Sequence, residues 1–169
     1  LLSGGRGRQG RRFPEVLRND GFPAFAVTEP DAGSDAGALK TTARRSGDEY
    51  ILNGHKCFIT NGALANIYTV LAVTDAGKGA RGLTMFMVDR DSEGLTVGKH
   101  EDKMGIRLSN TADVIMHDVR VPAENVIGGE GAGLKIAMET LNQGRAGPCS
   151  SAVGIMRPAF EHAMRYPHE

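Results

Sequence analysis

Five polar side chains crowd into one short run, Val27-Thr28-Glu29-Pro30-Asp31-Ala32-Gly33-Ser34-Asp35. Hydroxyls and carboxylates at that spacing can hydrogen-bond a ligand, and the turn chemistry around them says how they are held. Residues 24–27 are apolar, Pro30 cannot continue a central strand, and Gly33 opens backbone conformations closed to other residues. A strand therefore ends here, and its last residues fan into a loop whose backbone N–H groups stay free for a ligand. The same residues also suit a polar connector, with Ser34 capping a turn, Glu29 structural and Asp35 anchoring backbone N–H groups. A second pair, Asn142 and Arg145, lies three apart on a helical pattern and suits either a ligand channel or a solvated surface. The run Gly128-Gly129-Glu130-Gly131-Ala132-Gly133-Leu134-Lys135 lacks the Gly-Lys-Ser/Thr of a phosphate loop, and Leu134 stands where a dinucleotide fingerprint needs its third glycine. It reads as a flexible approach to a helix. The five histidines show no paired ligand spacing, so no metal site is expected, and no G-x-S-x-G elbow is present.

These groups need a scaffold, and the periodicity supplies one. From Ala24 to about Val121, short β-type runs alternate with turns: 25–28, 41–45, 50–52, 56–60, 68–74, 83–89, 95–98, and 113–117 with 119–121. Ser46-Gly47-Asp48 is a turn signal, and Asn53-Gly54 between two apolar runs predicts a tight hairpin. Regular short strands of this kind predict an antiparallel β-barrel or sandwich. After residue 133 the spacing becomes helical. Leu134, Met138 and Leu141 share a face, and Val153, Met156, Phe160 and Met164 continue at three- and four-residue intervals. Pro148 and Pro158 fall inside that pattern and predict kinks or separate segments. Leu1 to Arg12 is basic and glycine-rich without the apolar stretch of a secretory signal, and a short helix over 13–19 follows it. Both ends read as cut from a longer chain, since the helical pattern before Tyr166 stops without capping chemistry.

Composition narrows the function classes. The 169 residues are 40% hydrophobic and 24% charged, the pattern of a globular chain, and 20 basic side chains cancel 20 acidic ones. That balance argues against a general nucleic-acid or membrane-surface binder, which needs a net basic face. No apolar run approaches the roughly 20 residues of a membrane span. Cys57 and Cys149 lie far apart in no metal-like spacing, so reduced packing residues in a reducing compartment are expected. The 23 glycines are nearly twice the roughly 7% average, which favours turns and close backbone approaches.

The run Ala26-Val27-Thr28-Glu29-Pro30-Asp31-Ala32-Gly33-Ser34-Asp35 closely resembles the signature of the acyl-CoA dehydrogenase family. Further blocks follow in that family's order and spacing. Asn53-Gly54-x-Lys56-x-x-Ile59-Thr60-Asn61-Gly62 resembles its second flavin segment, and Lys103-Met104-Gly105-Ile106-Arg107-x-Ser109-x-Thr111 its third block. Val121-Pro122-x-Glu124-Asn125-Val126 resembles its fourth, and Leu141-Asn142-x-Gly144-Arg145 its acyl-CoA-contacting helix. The resemblance implies an α+β multidomain scaffold in three parts. Residues 1–21 end an N-terminal helical domain, 22–128 form the middle β-barrel domain, and 129–169 begin a C-terminal helical bundle.

The resemblance also implies FAD as cofactor and oxidation of an acyl-CoA thioester to the trans-2-enoyl-CoA, with electrons passed to an electron-transfer flavoprotein. Flavin contacts fall to Phe25, Ala26, Val27, Thr28, Gly33, Ser34, Phe58, Ile59 and Thr60. Acyl-CoA contacts fall to Ser34, Asn142 and Arg145. Thr28 and the backbone around Val27 would meet the pyrimidine side of the ring, and Thr60 its N5 region. Their bland alternative is plain β-strand threonine, favoured by branching. The family's usual tryptophan two before that threonine is Phe58 here, which keeps an aromatic face but loses the indole N–H. No catalytic base is found: most members carry it far downstream, expected after Glu169, and the minority position before the helix arginine holds Gly144. That departure disfavours the branch including isovaleryl-CoA dehydrogenases. A homo-oligomer (dimer or tetramer) and a bacterial cytoplasmic or mitochondrial matrix location are expected, with no nucleic-acid partner. An acyl-CoA oxidase on the same scaffold, or a non-catalytic β-barrel interaction module, remains the alternative.

Overall fold

The computed structural model describes residues 21–166, so the expected helix over 13–19 and nearly all of the 1–21 division lie outside the described residues. Eight strands make one mixed sheet: β1 (Phe22–Ala26), β2 (Thr42–Ser46), β3 (Glu49–Thr60), β4 (Ala65–Val73), β5 (Leu83–Asp89), β6 (Leu95–His100), β7 (Thr111–Pro122) and β8 (Val126–Ile127). The order is β6-β7-β3-β2-β4-β5-β8, with β1 beside β4. The expected antiparallel pairing holds for most of it, but β1–β4 and β2–β4 are parallel, and β6 and β8 do not pair to close the sheet. The β2–β4 link is one register pair, Thr42 with Val73. β1 carries Pro23, which removes a ladder donor; a strand paired only with β4 tolerates it.

Asn53-Gly54 is not a hairpin turn. β3 runs through it unbroken, and the hairpin joining β2 to β3 is Ser46-Gly47-Asp48-Glu49, with Gly47 at φ +64°. Leu52 pairs with Val119 and Gly54 with Met116, so Asn53 faces two residues of β7, His117 and Asp118. This is a β-bulge, with Asp118 at φ +51°. The Asn53 amide donates to the Asp118 carboxylate at 2.9 Å and accepts from the Asp118 N–H at 2.9 Å. Gly54 is required for another reason: a Cβ there would sit 2.2 Å from the Thr41 hydroxyl. The dipeptide that usually turns a chain here serves a crowded, continuous strand.

The core gathers Ala26, Tyr50, Leu52, Ile59, Tyr68, Val70, Phe86, Val88, Val114, Met116, Val119 and Val121, with Tyr50 and Phe86 packed edge to face at 5.0 Å. The glycine-rich run is spent on structure. The Gly131 N–H donates to the Thr84 hydroxyl at 2.9 Å, and Gly133 lies so close to Leu71 and Thr84 that a Cβ would meet both at 2.7 Å. It opens helix α1 (Gly133–Gly144). Two compact units result, residues up to Ala137 and residues from Met138. The second holds α2 (Ala146–Arg165). The helices separate at Arg145, and Pro148 falls in the first turn of α2, where its missing N–H is harmless. Pro158 does not divide α2 into separate segments. No described side chain of α2 is buried.

Candidate functional site

β1 ends at Ala26, and the polar run leaves it against the middle of β3. The Cys57 N–H donates to the Thr28 carbonyl at 3.0 Å. The Lys56 ammonium donates to the Val27 carbonyl at 3.0 Å and to the Glu29 carboxylate at 2.7 Å. Lys56 is 0% exposed and Glu29 5%, so this is an ion pair inside the protein. The Glu29 carboxylate also accepts the Lys40 N–H at 2.6 Å and the Thr41 N–H at 3.0 Å. A buried charge persists only when paired and hydrogen-bonded, and both conditions are met. Burial alone would push the Glu29 carboxyl up, but hydrogen bonds from Lys56, Thr41 and Lys40, with the ammonium's charge, hold it below the usual carboxylate range. Burial lowers the Lys56 ammonium, and Glu29 restores part of the loss. Beyond Glu29 the loop is pinned by paired N–H and carbonyl groups of Glu29 and Ala32, both at 3.1 Å, and by Asp35 accepting the Gly37 N–H at 3.0 Å. Asp35 is thus a loop anchor.

The second segment is shaped by another bulge. Lys56 pairs with Val114 and Ile59 with Ala112, so Cys57 and Phe58 together face Asp113. Phe58 takes φ +56°, a conformation that bulky residues rarely adopt, and the residue is 63% exposed. Ile59 is buried beneath it, and Thr60 is exposed at the strand's end. The next turn is firmly held. The Asn61 N–H donates to the Asn110 carbonyl at 2.9 Å and the Tyr68 hydroxyl to the Gly62 carbonyl at 2.8 Å. Arg90 donates to the Ala63 carbonyl and to the Tyr68 hydroxyl, both at 2.9 Å. Burial, and then the Asp113 and Glu29 carboxylates, push the neighbouring Cys57 thiol up, which disfavours its thiolate.

The structure therefore brings Val27–Thr28 and Phe58–Thr60 together through the backbone of Cys57 and the side chain of Lys56. Phe25 and Ala26 lie at the end of β1, with Ala26 wholly buried as a packing residue. Gly33 and Ser34 are exposed on the loop, and the Ser34 hydroxyl has no partner among the described residues. Asn142 and Arg145 belong to the second unit, where the guanidinium donates to the Asn142 side-chain Oδ1 at 3.1 Å. The set fits the expected flavin: an exposed aromatic face raised on a strained bulge, an exposed threonine hydroxyl beside it, and backbone amides on a rigid strand end. Lys56 stands in the second motif without a role that the motif itself assigns. Its signal was parity: it alternates in step with the inward Tyr50 and Leu52, and a lysine on an inward position needs a buried partner.

Residues 24–119 match the family model described as acyl-CoA dehydrogenase, middle domain. An acyl-CoA dehydrogenase of Bacillus subtilis is 44% identical over 166 residues, covering 98% of this chain and 44% of the relative. An acryloyl-CoA reductase (NADH) of Anaerotignum propionicum is 45% identical over 159 residues, covering 93% of this chain and 40% of the relative. The structure of butyryl-CoA dehydrogenase from Megasphaera elsdenii superposes with a TM-score of 0.81 at 47% identity, over 85% of this chain and 38% of that one. The chain thus spans less than half the length of these relatives.

Proposed function

This chain belongs to the acyl-CoA dehydrogenase family, and from that premise we propose that it is the flavin-bearing part of an enzyme that removes the α and β hydrogens of an acyl-CoA thioester. Members of the family are FAD-dependent flavoproteins. Held by the Val27–Thr28 and Phe58–Thr60 segments, FAD would supply the two-electron chemistry, with the α-proton left to a carboxylate expected outside this chain. One observation carries the reading: the hydrogen bonds from Lys56 and Cys57 that seat Val27–Thr28 beside Phe58–Thr60. The role of this chain's residues is binding and placement. Phe58 offers a face for the ring, Thr60 a hydroxyl, and the Val27–Thr28 backbone hydrogen bonds. Ser34, Asn142 and Arg145 are assigned to the acyl-CoA. The β unit is the middle domain of a three-part whole, α1 opens its C-terminal helical part, and the assembled protein is a homo-oligomer serving an electron-transfer flavoprotein.

A second reading follows from the acryloyl-CoA reductase at 45% identity, whose name describes reduction of an enoyl thioester. One experiment separates the readings. Purified full-length protein should be yellow, and anaerobic addition of a short-chain acyl-CoA such as butyryl-CoA should bleach the flavin. Colour should return with an electron-transfer flavoprotein or a dye but not rapidly with oxygen, because a closed site shields the reduced ring. Fast peroxide formation in air would make the protein an oxidase. NADH-driven loss of an enoyl-CoA, without bleaching by the saturated thioester, would make it a reductase. A colourless protein that binds no FAD would sink all three.

A further inference from the structure

The strand-end peptide at Thr28 has every polar group bonded but one. The Val27 carbonyl takes the Lys56 ammonium, the Thr28 carbonyl takes the Cys57 N–H, and the Glu29 N–H donates to the Ala32 carbonyl. The Thr28 N–H has no partner among the described residues. In a trans peptide the carbonyl and N–H of one unit point in opposite directions. Lys56 holds the Val27 carbonyl from the interior, so the Thr28 N–H of the same peptide is directed away from it. A cation on the carbonyl oxygen draws electron density through the planar amide and strengthens its N–H as a donor. Elsewhere in this unit loop carbonyls are held by the Tyr68 hydroxyl at Gly62, the half-buried Arg90 guanidinium at Ala63 and the half-buried Lys103 ammonium at Ser109; among the described lysines Lys56 alone is wholly buried. Glu29 keeps that ammonium charged without sharing the Val27 carbonyl.

We infer that Lys56 is a positioning residue for the flavin, its ammonium fixing and polarising the Val27–Thr28 peptide so that the Thr28 N–H meets an acceptor on the pyrimidine side of the ring. This rests on the proposed function, which places FAD against these residues. Its consequence is electronic as well as geometric, because a donor strengthened by a buried cation favours the ring's more electron-rich, reduced form and raises its reduction potential.

Two double variants of the full-length protein separate charge from shape, and each removes both members of the ion pair so that no uncompensated charge stays buried. Lys56→Gln with Glu29→Gln keeps a donor for the Val27 carbonyl without the charge. It should bind FAD with a near-native Kd yet show a lowered flavin reduction potential, which a purely structural lysine would not cause. Lys56→Met with Glu29→Gln removes the donor too, and should both weaken FAD binding about tenfold and lower the potential. Folded doubles with native potentials would overturn the inference. Should neither double fold, amide exchange on the wild type decides it. FAD should slow exchange in residues 27–29 more than in residues 113–121 of β7, and equal protection in both would overturn it. A wild type that binds no FAD defeats the proposed function itself, whereas one that binds FAD with unaltered doubles defeats only the role of Lys56.

Discussion

Lys56 and Glu29 form an ion pair inside the protein, where a single substitution puts a large energy at stake. Removing one member leaves the other charged in an apolar interior, which costs about 3–5 kcal/mol. Glu29→Gln should therefore lower the unfolding free energy by that amount, measured by urea denaturation at neutral pH, although it removes no apolar contact. The pair also sets an acid limb. The Glu29 carboxyl is lower in the folded state than its ordinary value of 4.5, so between the two values the unfolded chain binds more protons. The stability it contributes is complete above about pH 4.5 and fades as pH falls through the depressed folded value. Stability curves between pH 7 and 3 should fall less steeply for Glu29→Gln than for the wild type, and parallel curves would refute the linkage. Thr60 makes a smaller, sharper case. Its side chain is exposed, so Thr60→Val should change stability by less than about 0.5 kcal/mol. Flavin absorbance and redox behaviour should nonetheless change in the full-length protein; an unchanged spectrum and turnover would remove Thr60 from the ring. Thr28, Phe58 and Thr60 could be seen in the sequence because their motifs are contiguous. The pairing of Lys56 with Glu29 could not, because 27 residues separate them and only the sheet brings them together.

Strands here place the site through their irregularities. A regular β3 would keep strict alternation to its end; the bulge at Cys57–Phe58 adds a residue, turns the Phe58 ring outward and still leaves Ile59 buried. The turn that follows is closed by contacts that leave no room at Gly62, where a Cβ would lie 2.8 Å from the Ala112 carbonyl oxygen and 2.9 Å from that of Ile59. Both neighbours are backbone atoms, which cannot rotate away. Gly62→Ala should cost about 1–3 kcal/mol by overpacking. Gly105→Ala, with nothing within 4 Å and no left-handed φ, should stay within about 0.5 kcal/mol. Thermal unfolding of the two variants tests the contrast, and equal melting temperatures would contradict it. The same geometry explains what the sequence reading missed. Strand positions followed from alternation, and Ser46-Gly47-Asp48 turned as its chemistry requires. Asn53-Gly54 did not, because Asn53 is bound by Asp118 across β7 and Gly54 is held under Thr41. Those tertiary contacts outweigh a local turn preference. The parallel pairing of β1 with β4 was invisible for a similar reason, since neither strand's own pattern specifies the direction of a partner 43 residues away, as in Phe22 with Ala65.

At the scale of the whole molecule, the proposed function makes the β unit one wall of a flavin site. It offers a ring face at Phe58 and hydrogen-bonding groups along two short segments, while Asn142 and Arg145 belong to another compact unit. Tight sites for ligands of drug size or larger bury 70–90% of the ligand surface, and affinity grows with the walls that enclose it. A flavin stacked on one exposed ring and bonded along one edge leaves its other face to water. α2 makes the same point independently, because Val153, Met156, Phe160 and Met164 form an apolar row with no buried member. A row of that spacing is built to be covered. The relatives are more than twice as long as this chain, and under the proposed function the row would be covered by the remainder of such a protein. The 169-residue chain alone should therefore bind FAD at least about a hundredfold more weakly than the full-length protein, which is roughly 2.8 kcal/mol of lost enclosure. Titrating FAD fluorescence against both proteins measures the gap, with sedimentation run in parallel to report their association state. Stoichiometric, submicromolar binding by the isolated chain as a monomer would mean that the β unit encloses the flavin by itself, and that the exposed Phe58 ring is not its seat.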